Sequence, residues 1–573
     1  MKKYLFLAIA LLGLASCAKE DLTSGNQPIH GGEIEESYIA INLSASDITR
    51  ATHGGIEDGT TEERAVHHVD FFFFDGDGEA FPVNVNNGDG TTSAPGDKKN
   101  YLRAVGIEFS QDDTNQGDDI SDSSKAVLLL KTYKGEYPSQ IVAVLNWSPG
   151  TKESYTLSEL QLAVNTRETY DEQSYFIMSN AVYAQNGKAV YATPLTLDNI
   201  QSTEEAAKNA PVTIYVERVA AKVKVTAKNS NVNSNYENNV FDLDKTFTDG
   251  EESGKVYAQI LGWDLYRDNN KSTLLKVIDP AWTVDQIGFN WNDSPWYRSY
   301  WATSLLAPTD DTIHKDNCSL QDGNYTYIGE NTTGKSTCTK VIIKAQLSKQ
   351  VTTTDDETGN PVTSYSSLEI ALWNNVQYVG ELALRTAVAN TLKNTFYAKT
   401  TVDSKDVYTG LKPEDLMCVA GGGEGAPGGV EANEVYFQLS TEVGAKKNWY
   451  ELVNGVWRPV STDLNKDDIG VNATNELLKS VPSAVLYTNG ETFYYVDIEH
   501  LGAPNSAAEY GIVRNHIYDI AINSIRGYGS PVYEGSEIIE YPTTPDQQTY
   551  VSAKINILSW RLVNQVVDIQ PNN

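Results

Sequence analysis

Apolar and polar residues alternate with a period of two through much of the chain. Gln140–Trp147 (QIVAVLNW), Pro211–Lys228 (PVTIYVERVAAKVKVTAK), Thr339–Leu347 (TKVIIKAQL), Asn433–Leu439 (NEVYFQL) and His516–Ile525 (HIYDIAINSI) are rich in Val, Ile, Tyr and Thr. Gly, Asn and Asp clusters bound them, which is the pattern of half-buried strands. Helical periodicity is scarce. Its best example is Thr156–Asn165 (TLSELQLAVN), with Thr156 as the N-cap. The 20 prolines and 33 tyrosines agree with a mainly β architecture, and no repeat of fixed period is present.

Two end segments extend this pattern. Near the start, SYIAINLSASDITRATHGG places Ile39, Ile41, Leu43 and Ala45 on one face of a strand and then reaches Arg50-Ala51. That small, polar stretch is one a trypsin-like protease would cut, although an ordinary edge strand followed by a loop Arg has the same pattern. At the other end, the turn-rich EYPTTPDQQ (Glu540–Gln548) precedes YVSAKINILSWRLVNQVVDIQPNN. Val551, Ala553, Ile555 and Ile557 alternate there, and the phase shifts through Leu558, Trp560 and Leu562. About 20 extended residues reach roughly 65 Å, more than one domain's strand normally needs. Such a segment is either the last strand of its own sheet or a strand meant for a neighbour.

Length and charge narrow the options. A chain of 573 residues exceeds one ordinary core, so at least two domains are expected. A formal charge of −32 and a pI near 4.6 argue against nucleic-acid binding, which needs clustered Lys and Arg. The first residues read as an export signal: Lys2 and Lys3, an apolar run from Tyr4 to Leu14, then Ala15-Ser16-Cys17. The run is too short to span a bilayer. Leu14-Ala15-Ser16-Cys17 resembles the bacterial lipobox, whose Cys is acylated; the alternative is a plain signal peptide with an incidental Cys. Lys19, Glu20 and Asp21, just beyond, are similar to surface-export signals of Bacteroidetes lipoproteins. Among the remaining cysteines, Cys318 and Cys338 are a candidate disulfide closing a hairpin-sized loop, which leaves Cys418 unpaired.

Motifs for chemistry fail on context. GENTTGKS (Gly329–Ser336) fits the phosphate-binding pattern G-x-x-x-x-G-K-[ST], but a β-branched, alternating stretch follows where a helix must start. It reads as the turn of a β-hairpin. DGDGE (Asp75–Glu79) begins like a calcium loop, yet Ala80 replaces the turn glycine and no Glu closes position twelve, so a hairpin tip is expected. AGGGEGAPGG (Ala420–Gly429) lacks Lys, Arg and a following helix, and reads as a flexible surface loop. His67 and His68 are adjacent, so they point to opposite faces of a strand and cannot share a metal. No HExxH or GxSxG occurs. The expectation is a non-enzyme without catalytic, cofactor or metal residues.

Over most of its length beyond Cys17 the chain resembles the fimbrillins of Bacteroidetes, the major subunits of type V pili and lipoprotein precursors. The resemblance rests on the lipobox, QIVAVLNW, YFIMSNAVY (Tyr175–Tyr183), VERVAAKVKV (Val216–Val225), YIGENTTGKSTCTKVIIKA and, most specifically, YGIVRNHIYDIAINSIRGYGSP (Tyr510–Pro531). It implies a mainly β fold of two β-sandwich-like (transthyretin-like) domains in tandem with few short helices, plus a C-terminal donor strand. On this reading residues 1–17 are the signal peptide and 18–50 a propeptide. The two β domains span 51–215 and 216–548, and 549–573 form the donor-strand appendage. Cys17 is lipidated, Arg50-Ala51 is the bond cut by an arginine-specific protease, and the strand through Ile39, Ile41 and Leu43 is removed. The open groove then accepts Val551, Ala553, Ile555, Ile557, Trp560 and Leu562 of another copy. Arg64 lies downstream in similar surroundings and competes with Arg50 as the processing residue. The implied role is a pilus-shaft subunit at the outer membrane, lipid-anchored before processing and supporting adhesion and biofilm formation. Its partners are other copies and accessory, anchor and tip subunits. The other roles carried forward are a tip or accessory adhesin and a surface glycan-binding lipoprotein.

Overall fold

The computed structural model describes residues 34–44, 63, 66–85, 99–105, 123–166, 176–227, 239–278, 302–306, 315–320, 323–461, 470–500, 509–532, 550–559 and 561–564. The fold is mainly β. The first half contributes β1 (Ile34–Ser44), β2 (His68–Phe74), β3 (Tyr101–Val105), β4 (Ser123–Tyr133), β5 (Gln140–Leu145), β6 (Met178–Asn180) and β7 (Val212–Arg218). They form a sheet in the order β3-β2-β5-β6-β7-β1-β4. In β2 the four consecutive residues Phe71–Phe74 are all fully buried, as expected of a strand covered on both faces. The buried Asp70 beside them is held by Arg103 of β3 through two hydrogen bonds, 2.8 and 2.6 Å.

The second half contributes β8 (Ala221–Ala227), β9 (Val240–Asp249), β10 (Glu252–Tyr266), β11 (Tyr325–Ile328), β12 (Lys340–Thr354), β13 (Pro361–Ser367), β14 (Glu491–Asp497), β15 (His516–Arg526), β16 (Tyr550–Ser559) and β17 (Arg561–Asn564). One sheet runs β11-β8-β15-β16-β17; another runs β9-β10-β12-β13, with β14 also paired to β12. Side chains of both meet in one apolar cluster, including Val223, Val225, Ile260, Trp263, Val341, Ile343, Tyr518 and Ile520. A separate cluster lies within residues 371–486, where the helices Glu381–Leu392 and Val471–Leu478 pack with short hairpins.

The stretch Pro211–Lys228, continuous in its sequence pattern, is two strands in two sheets. Val219 and Ala220 belong to the first apolar cluster, and Ala221 opens the second. The boundary expected between 215 and 216 therefore falls inside β7. That strand is needed through Arg218 because Val216, Glu217 and Arg218 pair with β6.

The motif regions fold as a crossing, a tip and a link. GENTTGKS is followed by a strand, with one 3₁₀ turn over Lys335–Thr337. It is not the hairpin turn expected: β11 pairs with β8, whereas β12 pairs with β10 and β14, so the segment crosses between sheets. Asn331, fully buried, pins the crossing through its bridge to Ile512 and its Nδ2 donation to Thr339 Oγ1 at 2.9 Å. Asp75–Glu79 forms the expected tip, with Asp75 Oδ1 accepting from the amides of Asp77 and Glu79. The Thr156 cap is present as a reciprocal capping box with Glu159, but the helix stops after Gln161. Ala420–Gly429 spans the end of the strand Leu416–Ala420 and the link to its partner Val435–Leu439.

Candidate assembly site

β1 lies inside the first sheet rather than at its edge. It pairs antiparallel with β4 along its whole length, Ile34 opposite Tyr133 through Ser44 opposite Ser123. On its other side, residues Ile41–Ser44 run parallel to Val212–Tyr215 of β7. Its alternating pattern sets which side chains go in. Ile39, Ile41 and Leu43 are fully buried among Phe71, Leu130, Val142 and Ile214 of the first cluster. Glu35 fastens the start of the strand: its Oε2 accepts from the Tyr137 hydroxyl at 2.9 Å, a bond that raises the Tyr137 pKa. Midway, Tyr38 and Gln201 exchange backbone hydrogen bonds of 2.7 and 3.0 Å. Without β1, the facing edges of β7 and β4 would be unpaired over a trough lined by aliphatic side chains.

The β7 wall of this slot is tied to the second half of the molecule by buried charge. Glu217 Oε2 meets Lys276 Nζ at 2.8 Å, both side chains fully buried. Burial pushes the Glu217 carboxyl up and the Lys276 ammonium down, and the contact opposes both shifts. Close by, Arg514 binds Glu330 through two hydrogen bonds, 2.9 and 2.7 Å. Its remaining guanidinium nitrogen donates to the Leu274 carbonyl at 3.0 Å. None of these residues was singled out from the sequence, where the partners stand far apart and nothing marks them as pairs.

The expected donor segment is paired within its own chain. β16 runs antiparallel to β15, with Val551 opposite Ile525, Ala553 opposite Ile522, Ile555 opposite Ile520 and Ile557 opposite Tyr518. After one residue the chain reverses into β17, where Leu562 stands opposite Leu558. Trp560, Cys17, Arg50, Ala51 and Arg64 lie outside the described residues.

Cys318 and Cys338 are not joined. Both are buried thiols, and Cys418 is buried as well. They occupy different settings: Cys318 clusters with Ile342, Phe493 and Val532, while Cys338 Sγ sits beside Lys340 Nζ at the head of β12. Burial pushes the Cys318 thiol up to about 12 and Cys338 up to about 11. Thiolate is the reactive form, so iodoacetamide at pH 8 is expected to label the folded chain slowly and the denatured chain rapidly. Mass spectrometry of labelled peptides reads the difference; equal rates would place these thiols in solvent.

Among the described residues no group of three or more His, Cys, Asp or Glu is arranged to hold a metal. No helix among them is long and apolar enough to cross a membrane.

Residues 485–565 match the family model described as major fimbrial subunit protein type IV, fimbrillin, C-terminal. In this region the chain is similar to the fimbrillins. The fimbrillin-like stretch carries β14, β15, β16 and β17 together with Arg514. No curated protein matches the chain by sequence. Among solved structures, a fimbrilin of Porphyromonas gingivalis W83 is 12% identical, covering 92% of this chain and 98% of its own, with a TM-score of 0.33. A C-terminally truncated tip fimbrial protein of Porphyromonas gingivalis is 10% identical, covering 92% and 100%, at 0.29. A fimbrial assembly protein of Parabacteroides distasonis is 12% identical, covering 58% and 86%, at 0.24.

Proposed function

We propose that this chain is a structural, non-enzymatic subunit of a surface fimbria. In this reading β1 is a removable plug, and the C-terminal segment of a second copy takes its place. The observation that carries it is the position of β1: a strand paired on both sides, with Ile39, Ile41 and Leu43 fully buried, joined to β2 by a connection containing Arg50. Cleavage there adds one water across the Arg50–Ala51 amide and severs a strand that the sheet still needs. Ile39, Ile41 and Leu43 alone hold it by about 1.5–3 kcal/mol each through apolar burial. The vacated edges of β7 and β4 then form a template for an incoming apolar strand.

The C-terminal residues 549–573 supply that strand, with Val551, Ala553, Ile555, Ile557, Trp560 and Leu562 as its apolar positions. Their pairing with β15 has to be released first, which keeps an unprocessed chain from donating. Acylation at Cys17 anchors the exported precursor in the outer membrane until cleavage frees it. Two β domains, divided at the step from β7 to β8, form the body of the subunit. Its partners are other copies, accessory, anchor and tip subunits, and an arginine-specific protease; its role in adhesion and biofilm formation follows from that assembly.

Limited digestion of residues 18–573 with an arginine-specific protease tests this, read by N-terminal sequencing, gels and electron microscopy. A new N-terminus at Ala51 together with ladders or fibres that require residues 549–573 is the expected result. A cleaved chain that stays monomeric would overturn the shaft role and point to a tip or accessory subunit.

A further inference from the structure

The connection between β1 and β2 contains two arginines, Arg50 and Arg64, and cutting after either would release β1. One described residue distinguishes them. Glu63, immediately before Arg64, is 1% exposed. Its Oε1 accepts from Lys222 Nζ at 3.0 Å and from the Tyr327 hydroxyl at 2.5 Å. Its backbone carbonyl accepts from Arg218 Nε at 2.9 Å. Lys222 is itself 4% exposed. These partners come from the end of β7, from β8 and from β11, so Glu63 is seated where the chain passes from the first sheet to the second.

A protease holds several residues on each side of the scissile bond in extended form in its cleft. To cut after Arg64 it must first draw Glu63 out of this seat. That breaks a buried ion pair and leaves the Lys222 ammonium without its carboxylate, a strongly unfavourable change. We propose that Glu63 is a specificity determinant of processing. It directs an arginine-specific protease to Arg50 and away from Arg64. It also keeps residues 51–63 attached to the junction between the sheets once β1 has gone. The inference rests on the reading that β1 is released by proteolysis.

The test is a time course of digestion of the purified chain and three variants, with each cut assigned by intact mass. The unsubstituted chain is expected to give the fragment starting at Ala51, with the start at Ala65 appearing about tenfold more slowly or less. Glu63→Ala should raise the Ala65 start about tenfold, to rival the Ala51 start. Arg50→Ala should stay uncut on the same timescale, and Tyr327→Phe should shift the ratio in the direction of Glu63→Ala by less. Near-ultraviolet circular dichroism checks each fold; if Glu63→Ala fails to fold, Arg50→Ala and Tyr327→Phe decide. Cutting of Arg50→Ala after Arg64 at the rate normally seen at Arg50 overturns the proposal and leaves release of β1 intact. Conversely, if the unsubstituted chain is cut at neither arginine while Glu63→Ala is cut after Arg64, the clamp stands and natural processing in this connection is what fails.

Discussion

Chains carrying both Ile39→Asp and Ile41→Asp are expected to assemble without any protease. The two side chains are fully buried on one face of β1, two residues apart. A carboxylate in either place must sit in the core without a partner, or the strand must leave. The penalty for an uncompensated buried charge is on the order of 3–5 kcal/mol, comparable to what the lost isoleucines contributed through burial. The cheapest response is departure of β1, which mimics cleavage while the covalent chain stays intact. Light scattering and negative-stain microscopy should show ordered polymers from the doubly substituted chain and monomers from the same chain ended at residue 548. A soluble monomer with β1 still protected from amide exchange would rule out the plug. Irregular aggregates that form equally well without residues 549–573 would rule out ordered strand exchange.

The second large effect is expected at the junction behind the slot. Glu330→Ala leaves the fully buried Arg514 guanidinium with the Leu274 and Thr273 carbonyls but without the carboxylate that binds it. Removing one member of a buried pair costs about 3–5 kcal/mol, far more than the pair itself contributes relative to apolar replacements. The thermal midpoint of the second half should fall clearly, and adding Arg514→Leu should recover part of the loss because the stranded charge is gone. Breaking the exposed Lys446–Glu442 contact serves as the control and should change little. A midpoint unmoved by Glu330→Ala would mean that water reaches Arg514.

Strand identity was legible because alternation is a local property: QIVAVL and HIYDIAINSI announce their buried faces within a few residues. Strand position was not. That β1 is central follows from pairing Ile41 with Ala126 on one side and Val212 on the other, contacts across long stretches of chain. The crossing at Gly329–Thr339 misled for the same reason. Two flanking strands look like a hairpin unless it is known that they enter different sheets. The helix Glu381–Leu392 did leave a trace, with Leu384 and Val388 four apart and a positive-φ Gly380 before it, but its buried stripe is narrow. The charged junction left none. Its partners are separated by 59 residues for Glu217–Lys276 and 184 for Glu330–Arg514, and each reads locally as one more surface charge.

The geometry of the slot also has a mechanical meaning. Ladder hydrogen bonds in an antiparallel pair lie across the strands. β1 is bordered by β4 over all eleven residues of the strand and by β7 along Ile41–Ser44. A strand from a neighbouring subunit seated there would be pulled along its own axis when the fibre is stretched. The load then falls on the whole ladder at once, in shear, and not on one bond after another as in peeling. A joint of this kind resists tension through the length of its register, so a fibre built from it would hold under flow even though every contact in it is non-covalent.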